Sequence, residues 1–457
     1  MIVRNPLFNI SRIGVLGALL VSQWSVSSPA IAALELGLSS QNFIGQGTSG
    51  RARSFTSFDL GIDAKSVDEI VETRLFAKGM MAFNDPDFRF IELPEFYIGT
   101  SRDLTGPVKF NIGRKIENWS TLDEQWGFGI WQPRFRWDYL QPQTVGLFGA
   151  QTSYRDQELY LVAFASPFYV PDRSAPLDVS DGRVQSISPW VLNPPYSVKA
   201  AGKDTQIRYS AEIPELSDIV KQTNYSFLAR VGRNRGFYGQ ASYAYKPMNQ
   251  LLMSYDAFLN ANSITADVKL YPRVSYHDVM GLESGYVSKE WDVNLSYLYD
   301  RPIDQDLPLG ETYQLVTAAH SISPTIQYHI GGRRRGAGKF SFSYLRVFMN
   351  DLPDEGQFAN GSSNFDSRYP FKNAILTGLK LPRWRNVTAD FRLLYDIKNP
   401  GTIVSTVFEY NAVQNLTVFL ATDVLTSFKE ETPDVGTNFI YRYRANDRIS
   451  GGVSYVF

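Results

Sequence analysis

The stretch from Gly113 to Tyr139 holds the densest set of groups able to act on a solute. Trp119, Trp126, Trp131 and Trp137 place half of the chain's 8 tryptophans there, among Asp123, Glu124, Arg114, Lys115, Arg134 and Arg136. Indole faces along an opening can stack on sugar rings, and opposed charges across it make a field that sorts solutes. Equally, the indoles can do no more than pack the segment against its support, and the residue types leave both readings open.

A second cluster, Ser275-Tyr276-His277-Asp278, brings together a hydroxyl, an imidazole and a carboxylate. In a strand, Ser275 and His277 share a face while Asp278 points to the other, so His277 needs another orienting group before it can act as a base. His320 and His329 lack metal-ligand spacing. The acidic run of Asp351, Asp354, Glu355 and Asp366 lacks the register of a calcium loop. With no cysteine in 457 residues, disulfides and thiolate-bound metals are excluded, and no cofactor is expected. The basic tip Gly331 to Gly336 reads as a solvated turn; on an outer face it could meet lipopolysaccharide phosphates.

Elements that could position these groups alternate with period two. Val387, Ala389, Phe391, Leu393, Tyr395 and Ile397 fall on one face of a strand, against Thr388, Asp390, Arg392, Leu394, Asp396 and Lys398. The same pattern recurs around residues 237–245, 251–260, 264–270, 291–300 and 340–344, with turn chemistry such as Lys398-Asn399-Pro400-Gly401 between segments. No amphipathic helix of useful length and no fixed-period repeat appears. A formal charge of −1 from 45 basic and 46 acidic residues gives no net field for nucleic acid. The mean hydropathy of −0.22 is too polar for a helical membrane protein and fits strands that offer lipid every second residue.

The last ten residues sharpen this. Ile449, Gly451, Val453, Tyr455 and Phe457 form one alternating set, and the chain ends on an aromatic residue. This resembles the closing strand of bacterial outer-membrane β-barrels. The resemblance implies that Tyr455 and Phe457 form a signal for the barrel-assembly machinery and that the strand seals against the first. It further implies an outer-membrane location and contact with outer-membrane lipid and lipopolysaccharide.

Arg4 and Arg12, the apolar run Ile13 to Val21 and Ala30-Ile31-Ala32 read as an export signal over residues 1–32, leaving 33–457 as one barrel domain. The expected fold is all-β, an antiparallel transmembrane barrel of about 20 strands (range 18–22 from a spacing of ~22 to 24 residues per strand), with long loops folding into the lumen. Such a barrel is too wide for side chains to fill. The stretch Gly113 to Tyr139 then resembles the constriction loop of a porin, with Asp390, Arg392, Asp396, Asp267 and Lys269 on the lumen wall.

The leading expectation is a channel for small hydrophilic solutes, sugars included, with no enzymatic activity; a homo-oligomer is compatible with it. A closed barrel docking envelope proteins and a lipid-modifying enzyme using Ser275 and His277 are the alternatives. Strand counting puts 116–142 and 169–203 outside, and 350–372 and 426–437 on the periplasmic side, where turns are usually short. A single miscounted strand reverses those sides.

Overall fold

The computed structural model describes residues 31–44, 53–85, 87–186, 188–191, 193–200, 202–233, 235–260, 265–303, 312–314, 316–334, 336–349, 368–428 and 438–457. Alternation along the chain becomes a single closed wall. Its first seven strands are β1 (Ile31–Phe43), β2 (Arg53–Val67), β3 (Val71–Ala82), β4 (Arg89–Thr100), β5 (Val108–Lys115), β6 (Leu147–Arg155) and β7 (Leu159–Ser166). The next six are β8 (Asn224–Gly232), β9 (Gly236–Pro247), β10 (Tyr276–Val287), β11 (Trp291–Pro302), β12 (Ala319–Ile330) and β13 (Gly338–Met349). The last five are β14 (Asn373–Lys380), β15 (Val387–Asp396), β16 (Gly401–Val413), β17 (Leu416–Ser427) and β18 (Arg448–Val456).

Each strand pairs antiparallel with the next, and β18 returns to β1 in a register running from Glu35 opposite Val456 to Phe43 opposite Arg448. The 18-stranded sheet therefore has no free edge.

The two faces of each strand meet different surroundings. Leu38, Ile98, Ile112, Phe227, Leu282, Leu295, Phe342, Leu393, Val404, Leu420 and Val453 are exposed on the outside. Between them the inward set is polar or buried, as with Asn111, Gln240, Glu283, Ser296, Ser323 and Asp423. In the closing strand Ile449, Val453, Tyr455 and Phe457 face out while Arg448 is buried inside, bridging Asp423 and Asp138 at 2.7 Å each.

The count of 18 lies at the low end of the expected range because two alternating segments do not join the wall. Leu252–Asn260 and Thr265–Arg273 pair with each other in a separate sheet, where Thr265–Arg273 also runs parallel to Lys203–Ala211. Period two reports a half-buried strand without saying what covers it. Asp267 and Lys269, expected on the lumen wall, consequently sit in this outer sheet, and Lys269 pairs there with Glu212.

Connections sort cleanly by rim. The rim holding the start of β1 and the end of β18 carries the short turns, such as 156–158, 288–290 and 414–415. The opposite rim carries 116–146, 167–223, 248–275, 350–372 and 428–447. Barrels keep short turns on the periplasmic side, so the long-loop rim is the outer one. This corrects the sides expected for 350–372 and 426–437, which leave from the same rim as 116–142 and 169–203. The aromatic alternation of Phe439–Tyr443 folds as a short helix, and counting it as a wall strand would reverse the parity. The basic tip at 331–336 lies on the periplasmic rim, with Arg333 on Asp292, away from any outer-leaflet phosphate. Asp351, Asp354, Glu355 and Asp366 lie outside the described residues.

Candidate constriction in the lumen

Between β5 and β6 the chain turns inward over residues 116–146 and folds on itself inside the barrel. Its one helix, α1 (Thr121–Trp126), starts at Ser120, whose Oγ caps the Asp123 N–H at 3.4 Å, and ends at Gly127 in the left-handed region at φ 65°. The Asp123 carboxylate accepts the N–H groups of Ile130 and Trp131 at 3.0 Å each, folding the next turn back onto the helix.

The fold of this segment is fixed by one side of the wall. Glu283 on β10 accepts from the Thr121 N–H at 2.6 Å, the Thr121 hydroxyl at 3.2 Å and Ser296 Oγ at 2.9 Å. Gln240 and Ser242 on β9 donate to the Trp119 carbonyl at 3.2 and 3.0 Å. Trp126 Nε1 donates to Ser323 Oγ on β12 at 3.0 Å. Asn249, just past β9, donates to the carbonyls of Gly129 and Ile130 at 2.6 and 3.1 Å. On β10, a Cβ at Gly281 would stand 2.4 Å from Ser242 Oγ and 3.4 Å from Trp131 Cζ2; a bare backbone here makes room for the Ser242 hydroxyl that donates to Trp119, beside the Trp131 indole.

The expected tryptophans therefore serve packing. Trp119 and Trp131 are each 1% exposed and stack on one another at 5.7 Å and 6°. Trp137 packs on Phe88, Phe90 and Phe135. Trp126 also borders a cavity. The expectation that Trp119, Trp131 and Trp137 line an opening is corrected on this ground: wide apolar rings gain more from burial between loop and wall than from water.

The charged set divides in the same way. Arg114 is buried at the loop's base on Glu92 at 3.3 Å, and Lys115 lies over the Tyr97 ring at 5.5 Å. Asp123 is fully buried within the loop and Asp396 is buried, accepting the Asn399 N–H at 3.0 Å; neither reaches open lumen.

Glu124, Arg134 and Arg136, by contrast, border a cavity of about 430 Å³ whose far side is Asp390, Arg392 and Leu394 of β15 with Ser405 of β16. Arg134 bridges Glu124 at 3.2 Å and Arg136 bridges Asp172 at 3.0 Å. Burial, reinforced by Asp123, holds the Glu124 carboxyl above its ordinary value of 4.5 despite Arg134. Arg392 and Asp390 make no ion pair within 4.0 Å among the described residues.

The wall residues Gln240, Ser242, Asn249, Glu283 and Ser323 were not picked out from sequence. Their signal was limited to being polar at inward positions; partners over a hundred residues away carry none.

Larger spaces open above and below: about 1080 Å³ at the outer rim beside Arg53, Asp87, Arg89 and Asp178, and about 460 Å³ at the periplasmic rim. A closed wall with an apolar exterior and a polar interior is built to cross lipid, because pairing around the whole ring leaves no open strand edge. The chain is a membrane-spanning β-barrel of the outer-membrane type.

No protein-family model and no curated protein matches the chain. Among solved structures, the barrel is similar to Pseudomonas aeruginosa OccK2 (OpdF), with 11% identity over 94% of this chain and 97% of that one, TM-score 0.49. OccK2 has also been solved with glucuronate. Acinetobacter baumannii OccAB3 gives 9% identity, 94% and 99% coverage and TM-score 0.47. Salmonella typhi OmpF, solved with daunomycin, gives 10%, 94%, 98% and 0.41.

The second cluster gains its orienting acid but loses its nucleophile. His277 Nδ1 lies 2.7 Å from Asp300, which also holds Arg368 and the Tyr369 hydroxyl. Ser275 Oγ and His277 Nε2 are both buried, and among the described residues neither has a hydrogen-bond partner. The site has neither a base-to-hydroxyl contact nor access for a lipid.

Proposed function

We propose that this barrel is a channel for small hydrophilic solutes, narrowed by residues 116–146. One observation carries the reading: the inward segment is tied to β9, β10 and β12, and about 430 Å³ stays open between it and β15 and β16. Solutes crossing there meet Glu124, Arg134 and Arg136 on the loop and Asp390, Arg392 and Ser405 on the wall. With the indoles of Trp119 and Trp131 turned onto each other, selection rests on charge and hydrogen bonding, and any sugars are handled through their hydroxyls.

Delivery fits the same reading. Residues 1–32, whose last two positions are also the first two of β1, act as the export signal, and Tyr455 and Phe457, turned outward at the periplasmic rim, present the closing strand to the assembly machinery.

Purified protein in a planar bilayer is expected to give stepwise conductance. The double variant Gln240→Ala with Asn249→Ala, which unties the segment at two points, should widen the steps or make them flicker. Silence from both proteins would sink the proposal.

A further inference from the structure

We infer that two neighbouring turns on the periplasmic rim, 331–337 and 381–386, form a docking surface for the headgroups of anionic phospholipids in the inner leaflet. Its role is independent of what the lumen carries.

The basic tip at 331–336 does not stand by itself. Residues 331–337 carry Arg333, Arg334 and Arg335, residues 381–386 carry Arg383 and Arg385, and neither turn contains an acid. The Arg383 N–H donates to the Gly336 carbonyl at 2.7 Å, so the turn between β14 and β15 is fastened onto the one between β12 and β13. Arg333 is committed to Asp292 and, through Nε, to the Ser288 carbonyl at 3.0 Å. Arg334, Arg383 and Arg385 are exposed, and none has a carboxylate within 4.0 Å among the described residues. The acids around them are engaged or balanced: Asp292 also takes His329 at 2.9 Å, Glu409 accepts the Thr388 hydroxyl at 2.9 Å, and Glu290 shares its turn with Lys289.

An apolar group set among these charges distinguishes the surface from a solvated turn. Trp384 is 69% exposed, and its backbone bridges Val387, the first residue of the outward set on β15. Residues opposite one another in an antiparallel bridge point to the same side, so the indole lies on the lipid-facing side of the wall. The Arg385 guanidinium stands 5.2 Å from the centre of that ring. Trp291, Tyr328 and Phe340 continue the row of outward rings along the periplasmic ends of β11, β12 and β13, with Trp291 and Tyr328 in contact at 4.6 Å. Such rings sit at the membrane interface, and arginines on the turns beyond them reach the level of the lipid phosphates. Each guanidinium fork can meet a phosphodiester with two parallel hydrogen bonds. Elsewhere on the same rim the sign is reversed: turns 68–70, 101–107 and 156–158 hold Asp68, Glu69, Asp103, Asp156 and Glu158 against Arg102. The attraction for an anionic headgroup is therefore strongest on the arc from β12 to β15.

The test reconstitutes the full-length barrel in phosphatidylcholine vesicles that contain, in separate samples, phosphatidylglycerol or phosphatidylethanolamine with brominated acyl chains at equal mole fraction. Bromine quenches indole fluorescence at close range, and the difference between each protein and its Trp384→Phe counterpart isolates that one ring. Phosphatidylglycerol is expected to be enriched at the ring over phosphatidylethanolamine by about fivefold for each arginine engaged. Arg334→Ser, Arg383→Ser and Arg385→Ser should each remove one such factor, Arg383→Lys should keep most of it, and high salt should weaken the preference in every arginine-bearing protein. Equal quenching by the two lipids, or a preference that survives in a triple serine variant with an unchanged folded band in a heat-modifiability gel, overturns the docking surface. Co-sedimentation with purified peptidoglycan that disappears in the triple variant while the lipid preference stays also overturns it, and assigns the arginines to cell-wall carboxylates.

Discussion

The two sides of the lumen are built on the same alternation and do opposite work. On β9 to β12 the inward residues that face the segment are Gln240, Ser242, Glu283, Ser296 and Ser323, all buried and bonded to the segment or to one another. On β15 and β16 they are Asp390, Arg392, Ser405 and Val407, with the charged ends left in the open cavity. Short side chains bring the wall close enough to accept or donate to a loop backbone; long charged ones hold the loop off and keep water between. The position of a passage within a barrel can thus be set by side-chain length on each side as much as by the loop itself.

If this contrast is right, the tied side should answer mutation in stability and the open side in selectivity. The largest effect is expected at Trp131→Ala, where loss of a fully buried indole should cost about 3 to 5 kcal/mol and lower the temperature at which the folded band shifts in a heat-modifiability gel. Next, Glu283→Ala leaves the Thr121 donors without their acceptor and should cost roughly 1.5 to 3 kcal/mol, read as faster proteolysis within 116–146.

A smaller change is expected from acidification. Because the Glu124 pKa is raised, its proton returns at a higher pH than the ordinary 4.5 as pH falls. The cavity then loses negative charge, and reversal potentials should drift toward anion preference with a midpoint above that value; Glu124→Gln should remove the drift. Smallest in stability is Arg392→Gln, expected to leave melting unchanged while shifting the reversal potential toward cations. A loss of fold from Arg392→Gln as large as that from Glu283→Ala would break the contrast.

How much of this was legible beforehand follows from the range of each interaction. The wall was legible because inward and outward faces differ residue by residue, as in Leu393 and Leu394 with their neighbours Arg392 and Asp396. The closing strand was legible for the same reason. The strand total came out high because Leu252–Asn260 and Thr265–Arg273 obey the same alternation over a different partner. The inward segment could be located by its composition, yet its orientation could not: Trp119 meets Gln240 across 121 residues of sequence. Likewise Asp300, the acid that orients His277, lies 23 residues away, and no local pattern joins them.

Gly281 carries a consequence for engineering. The missing side chain leaves room for the Ser242 hydroxyl that holds the Trp119 carbonyl, with the Trp131 indole packed beside it, so wall and segment form a matched pair. Exchanging residues 116–146 for those of another barrel should fail unless the β10 position facing the graft is recut to its shape. Conversely, a bulky residue at Gly281 should push Ser242 Oγ off the Trp119 carbonyl and crowd Trp131, loosening the segment from the wall. That would provide a barrel whose bore can be altered from the wall, through a single glycine.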